Sequence, residues 1–101
     1  MPRIINWYYL VSMADTQLDR LRARIDEADK ELLRSLSERL KYVEQIGEYK
    51  RENELEVRDE KRRSEVLTSR ISSGKNLGIA ADLVRKIFEA ILDHSEDIEK
   101  K

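Results

Sequence analysis

From Leu18 onward, apolar residues return every three or four positions: Leu18, Leu21, Ile25, Ala28, Leu32, Leu36, Leu40, Val43 and Ile46. That is the period of a helix with one buried stripe. Asp15 or Thr16 stands where such a helix needs a cap, and Thr16 with Asp19 has a capping-box-like spacing. A first helix is therefore predicted from Thr16 to about Lys50. The pattern fades over Arg51 to Leu55, and Val57 to Asp59 reads as a connection. A second, short helix is predicted from Asp59, whose carboxylate can cap the first turn; it buries Val66, Leu67 and Ile71 and ends at Gly74. A third, from Ile79 to Ile98, shows an apolar face of Leu83, Val84, Ile87, Phe88, Ile91 and Ile98. The fold class is all-α: three helices per chain, one long, one short and one medium.

The length of the first helix carries a further expectation. At 1.5 Å per residue, Thr16 to Lys50 makes a rod of about 52 Å, whereas a compact chain of this size is roughly 35 Å across. Two short helices cannot cover a stripe that continues to Ile46, so a second copy is expected to do so. A plain two-stranded coiled coil does not fit, because with Leu18 as position a, later a and d sites fall on Ser35, Arg39, Tyr42 and Tyr49.

Composition narrows the functional classes. The chain has 101 residues, enough for one modest domain. Charged residues make up 41% of it, yet Lys+Arg 20 and Asp+Glu 21 nearly cancel, so neither nucleic acid nor an acidic membrane is expected as a partner. With no Cys and a single His, His94, no disulfide, thiolate or Cys/His zinc site can form, and metal catalysis is not expected. Ile4, Ile5 and the run Trp7 to Val11 make the first residues apolar. The segment is shorter than a signal peptide of roughly 15–30 residues. Residues 1–14 read as an N-terminal extension or arm, residues 15–101 as the helical domain, and the cytoplasm as its place.

Three cations interrupt the apolar stripe. At 100° per residue with Leu18 at zero, the apolar positions span about 280° through zero to about 40°; Arg22 falls at about 40°, Arg39 at about 300° and Lys50 at about 320°. A buried charge needs an anionic partner. Arg22 has Asp19 and Asp26 within helical reach, but Arg39 is flanked at i±3 and i±4 by Leu36, Ser35, Tyr42 and Val43, and Lys50 has only Glu54. Arg39 and Lys50, about 16 Å apart in rise, could bracket one small dianion. Arg22 lies about 25 Å from Arg39 along the rod and could join that site only from an antiparallel partner chain.

Leu21-Arg22 with Ile25 and Asp29, Ser37-Glu38-Arg39, Gly47 with Lys50, Val57-Arg58-Asp59 with Arg62, and Asp93-His94-Ser95 together resemble the all-helical chorismate mutases over nearly everything from Leu18 to Lys101. The resemblance implies an intertwined six-helix homodimer with active sites shared between chains. It implies chorismate as substrate, prephenate as product, a role in phenylalanine and tyrosine biosynthesis, and no cofactor. By the same resemblance Arg39 and the partner subunit's Arg22 hold the substrate carboxylates. Lys50 donates to the ether oxygen and a carboxylate, Asp59 meets the ring hydroxyl mainly through its backbone, and Arg62 and Ser95 line the pocket.

Two positions depart from the family pattern. Arg63 follows Arg62 where the family often has a Glu that contacts the ring hydroxyl; Arg63 is expected to be solvated. Glu99 stands where an amide is common, one turn beyond Ser95 on the same face. A carboxyl donates to the ether oxygen only when protonated, so activity is expected to fall as pH rises through the ionisation of Glu99. An isochorismate pyruvate lyase of the same fold and a non-enzymatic helical dimerisation module are the alternatives.

Overall fold

A computed structural model describes the backbone of residues 2–101 and the side chains of residues 16–101. The protein is all-α, with α1 (Pro2–Glu52), α2 (Glu60–Asn76) and α3 (Ala81–Glu99) and no strand among the described residues. The chain divides into two units, residues 1–38 and 39–101. No helix among the described residues is long and apolar enough to cross a membrane.

The first unit is helical throughout its described backbone. Helix α1 starts at Pro2 and not at Asp15 or Thr16, so neither residue is its N-cap. Nothing between Pro2 and Thr16 breaks a helix, and proline is tolerated at a first helical position because that N–H has no partner to lose. The side chains of the expected N-terminal arm, residues 1–14, lie outside the described ones. The apolar positions of this unit are open to solvent: Leu18 is 44% exposed, Leu21 52%, Ile25 58% and Leu32 62%. Arg22 pairs with neither Asp19 nor Asp26 among the described residues; the ion pairs seen here are Lys30 with Glu27 and Arg34 with Glu31.

The second unit contains the C-terminal part of α1, then α2 and α3. Its buried apolar residues are Val43 from α1, Val66 from α2 and Val84 from α3. Gly74 does not end α2, as its sequence suggested; it is a buried helical residue against which α3 packs, and a Cβ there would stand 2.6 Å from Val84 Cγ2. The helix ends at Asn76, where Ile79 N donates to Gly74 O at 2.8 Å and Gly78 N to Lys75 O at 3.0 Å, with Gly78 left-handed at φ 78°. This is the Schellman lock, which needs a residue that accepts positive φ. Helix α3 begins at Ala81 with no side-chain cap on Ala80.

The same lock closes α1, with Leu55 N donating to Lys50 O at 2.9 Å and Glu54 N to Arg51 O at 3.4 Å. Here the left-handed residue is Glu54, φ 54°, where a Cβ crowds the backbone. Removing that side chain should help more than the added freedom of the unfolded chain harms. Glu54→Gly is expected to stabilise the fold by roughly 0.5–1 kcal/mol and to raise the melting midpoint by a few degrees; a lower midpoint by calorimetry would contradict this.

Candidate functional site

Within residues 39–101 the three helices and the connection before α2 surround a cavity of about 220 Å³. Arg39, Lys50, Asp59, Arg62, Ser95 and Glu99, all expected at a site from sequence, line it. Arg22 belongs to the other unit.

Arg39 and Lys50 project from α1 three turns apart, a spacing that a continuous helix preserves. Arg39 Nη1 donates to Ser95 Oγ at 2.9 Å, and Ser95 Oγ donates to Ile91 O at 2.7 Å. Ser95 is buried and its hydroxyl is thereby oriented to receive the guanidinium. Arg39 has no carboxylate in ion-pair range among the described residues. Burial lowers its pKa from the usual guanidinium value, Arg70 and Arg62 push in the same direction, and only Glu99 opposes them. A guanidinium so placed is complementary to an anion.

Lys50 has the partner that its neighbours in sequence do not supply. Its Nζ donates to Val57 O at 2.6 Å and lies 2.6 Å from Glu99 Oε1, with the side chains of Lys50 and Glu99 only 17% and 11% exposed. The contact to Glu99 has ion-pair distance without the alignment of a hydrogen bond, so Oε1 is buried and accepts none. Its acid is therefore Glu99 of α3 and not Glu54, the one acid within helical reach along the sequence.

Glu99 reaches this position because Gly47 has no side chain. A Cβ at Gly47 would lie 2.9 Å from Glu99 Cα, and Arg51 Nη1 donates to Glu99 O at 3.2 Å, tying the end of α3 to the last turns of α1.

The connection and α2 supply the opposite wall. Asp59 caps α2 by accepting from Arg62 N at 3.0 Å, while Arg63 N donates to Asp59 O at 2.9 Å. Arg62 is exposed and meets Glu65 only at 3.8 Å. Arg63 is not solvated, contrary to expectation. Its Nη2 donates to Asp93 Oδ1 at 2.8 Å and its Nη1 to Glu96 Oε1 at 3.1 Å, and its side chain is 15% exposed. Burial works against its charge, but hydrogen bonds and charge from Asp93 and Glu96 outweigh that, and its pKa is raised. Glu96 also lines the cavity and was missed from sequence. Its signal was present: it sits three residues before Glu99 and so shares that helical face. Among the described residues no group of His, Asp or Glu could hold a metal ion.

Residues 21–100 match the chorismate mutase type II family, and the chain belongs to it. It is 33% identical over 79 residues to a T-protein of Enterobacter agglomerans, covering 78% of this chain and 21% of that one. It is 31% identical over 78 residues to a T-protein of Haemophilus influenzae, covering 77% and 21%. To a bifunctional chorismate mutase/prephenate dehydratase of Buchnera aphidicola it is 30% identical over 88 residues, covering 87% and 23%. The chain spans about a fifth of the length of these relatives.

Because backbone lies where a new methyl would go, Gly47→Ala should force α3 away from α1 and destabilise the protein by about 1–3 kcal/mol. Thermal denaturation checks this, and an unchanged midpoint would show that the close approach is not part of the fold.

Proposed function

We propose that the chain is a chorismate mutase that converts chorismate to prephenate, a step of phenylalanine and tyrosine biosynthesis, and that it works as an intertwined six-helix homodimer in the cytoplasm. The supporting observation is the convergence of Arg39 and Lys50 on one cavity in which Arg39 has no carboxylate in ion-pair range among the described residues. Family membership supports the same reading.

Chorismate carries two carboxylates, an enolpyruvyl ether and a ring hydroxyl. In the rearrangement the ether carbon–oxygen bond breaks as a carbon–carbon bond forms, and the ether oxygen becomes the carbonyl oxygen of the product. The reaction is unimolecular, so the protein's task is to hold the arm over the ring and to stabilise the negative charge that grows on the ether oxygen. Arg39, positioned by Ser95, takes one carboxylate. Arg22 of the partner subunit takes the other, since Arg22 has no acid partner among the described residues and a second copy would cover the exposed Leu18, Leu21, Ile25 and Leu32. Lys50 turns from Glu99 to a substrate carboxylate and the ether oxygen. Asp59 gives its backbone N–H to the ring hydroxyl, and Arg62 closes the wall. Residues 1–14 are an extension to the catalytic domain, 15–101.

A donor aimed at developing charge in a dry site contributes on the order of 3–4 kcal/mol, against about 0–1 kcal/mol for an exposed ion pair. Arg39→Ala and Lys50→Ala should each lower kcat/KM for chorismate by roughly 10²–10³, and Lys50→Ala, which leaves Glu99 without its counter-ion, should also lower the melting midpoint. Following chorismate loss with product identification tests this. Wild-type activity in both variants would refute the assignment, release of pyruvate from isochorismate would assign a lyase, and no thermal shift with chorismate would leave a dimerisation module. Mixing Arg22→Ala with Arg39→Ala chains should restore one working site per heterodimer; no recovery after verified exchange counts against shared sites.

Glu99 faces Lys50 and the charge of Arg39. Once Lys50 turns to the substrate, Glu99 remains beside the ether oxygen and donates to it only as the protonated acid. Glu99→Gln carries an N–H donor in place of the acid and should keep or raise kcat/KM for chorismate; a large fall in the folded variant would remove Glu99 as a donor in the reaction.

A further inference from the structure

Arg63 needs one carboxylate to compensate its burial, and Asp93 provides it at 2.8 Å. The structure nevertheless sets a second one beside it, Glu96, whose Oε1 accepts from Arg63 Nη1 at 3.1 Å and whose Oε2 lies 3.7 Å from Arg58 Nη1. Glu96 is 17% exposed and lines the same cavity as Arg39 and Lys50. A negative group in the wall of a site for a dianion works against binding unless it meets a part of the ligand that donates. Chorismate has one such part, its ring hydroxyl.

The other named oxygens of the wall serve contacts within the chain. The Asp59 carboxylate caps α2, Ser95 Oγ accepts from Arg39 and donates to Ile91 O, Val57 O accepts from Lys50, and Glu99 faces Lys50. Glu96 differs, because an ionised carboxylate has about four acceptor positions and its two cations use only part of them. We propose that Glu96 accepts the hydrogen bond donated by the ring hydroxyl of the substrate, with Arg63 as the positioning residue that holds its carboxylate. This rests on the reading of the site as a chorismate pocket. The hydroxyl oxygen accepts from Asp59 N–H while its proton points to Glu96, so both its hydrogen-bonding roles are met, one from the connection before α2 and one from α3.

The experiment compares chorismate with its analogue lacking the ring hydroxyl, on the intact chain, for the wild type, Glu96→Ala and Glu96→Gln. Glu96→Ala is expected to lower kcat/KM for chorismate roughly 10- to 100-fold and to leave that for the deoxy analogue within about threefold. Glu96→Gln keeps an acceptor oxygen and should fall between wild type and alanine on chorismate alone. If the alanine chain does not fold by circular dichroism, Glu96→Gln on the two substrates decides. Equal losses on both substrates, or no loss on either, would overturn the role of Glu96 while leaving the mutase reading intact. A folded wild-type chain that turns over neither substrate would overturn both.

Discussion

Placing cations where water is scarce is the constraint that organises residues 39–101. Lys50, Arg39 and Arg63 all lie in the semi-buried wall of one cavity, and each is compensated differently. Lys50 has a carboxylate from α3, Arg63 has two, and Arg39, among the described residues, has a serine hydroxyl and no carboxylate in range. The helices are arranged around these differences. Gly47 lets α3 approach until Glu99 meets Lys50, Asp59 caps α2 so that Arg62 and Arg63 start its first turn at the cavity edge, and buried Ser95 orients Arg39. Removing one partner of such a pair leaves a charge without compensation, which costs more than the pair itself contributes.

The unequal compensation separates two tasks within one small site. Charges that are already neutralised hold the walls in place, as Arg63 does between Asp93 and Glu96. The charge with no carboxylate in ion-pair range among the described residues, Arg39, is the one proposed to meet the substrate. Lys50 stands between these cases, with Glu99 as its counter-ion and Val57 O as a second acceptor.

Much of the fold was legible in the sequence because a scarcity of Gly and Pro and an unbroken helical period leave little alternative to helices. The ends were less legible. A cap-competent pair such as Asp15 and Thr16 does not oblige a helix to begin there, and two glycines four residues apart, Gly74 and Gly78, look alike in sequence although one is a packing contact and the other a left-handed turn. Arg39, Lys50, Asp59, Arg62, Ser95 and Glu99 were all recognisable as cavity residues through their resemblance to a family pattern. What was not recognisable was who compensates whom. Helical neighbours can be read along a chain, but the contacts of Lys50 with Glu99 and of Arg63 with Glu96 join distant segments, and only packing reveals them.

The described interior holds three apolar side chains, Val43, Val66 and Val84. In the proposed homodimer a second copy covers the leucines that one chain leaves exposed, and shape and association would then become one equilibrium. For a cell, the abundance of such a dimer would determine the fraction of molecules that are folded as well as the number present, and dilution would act on it as a denaturant does on others.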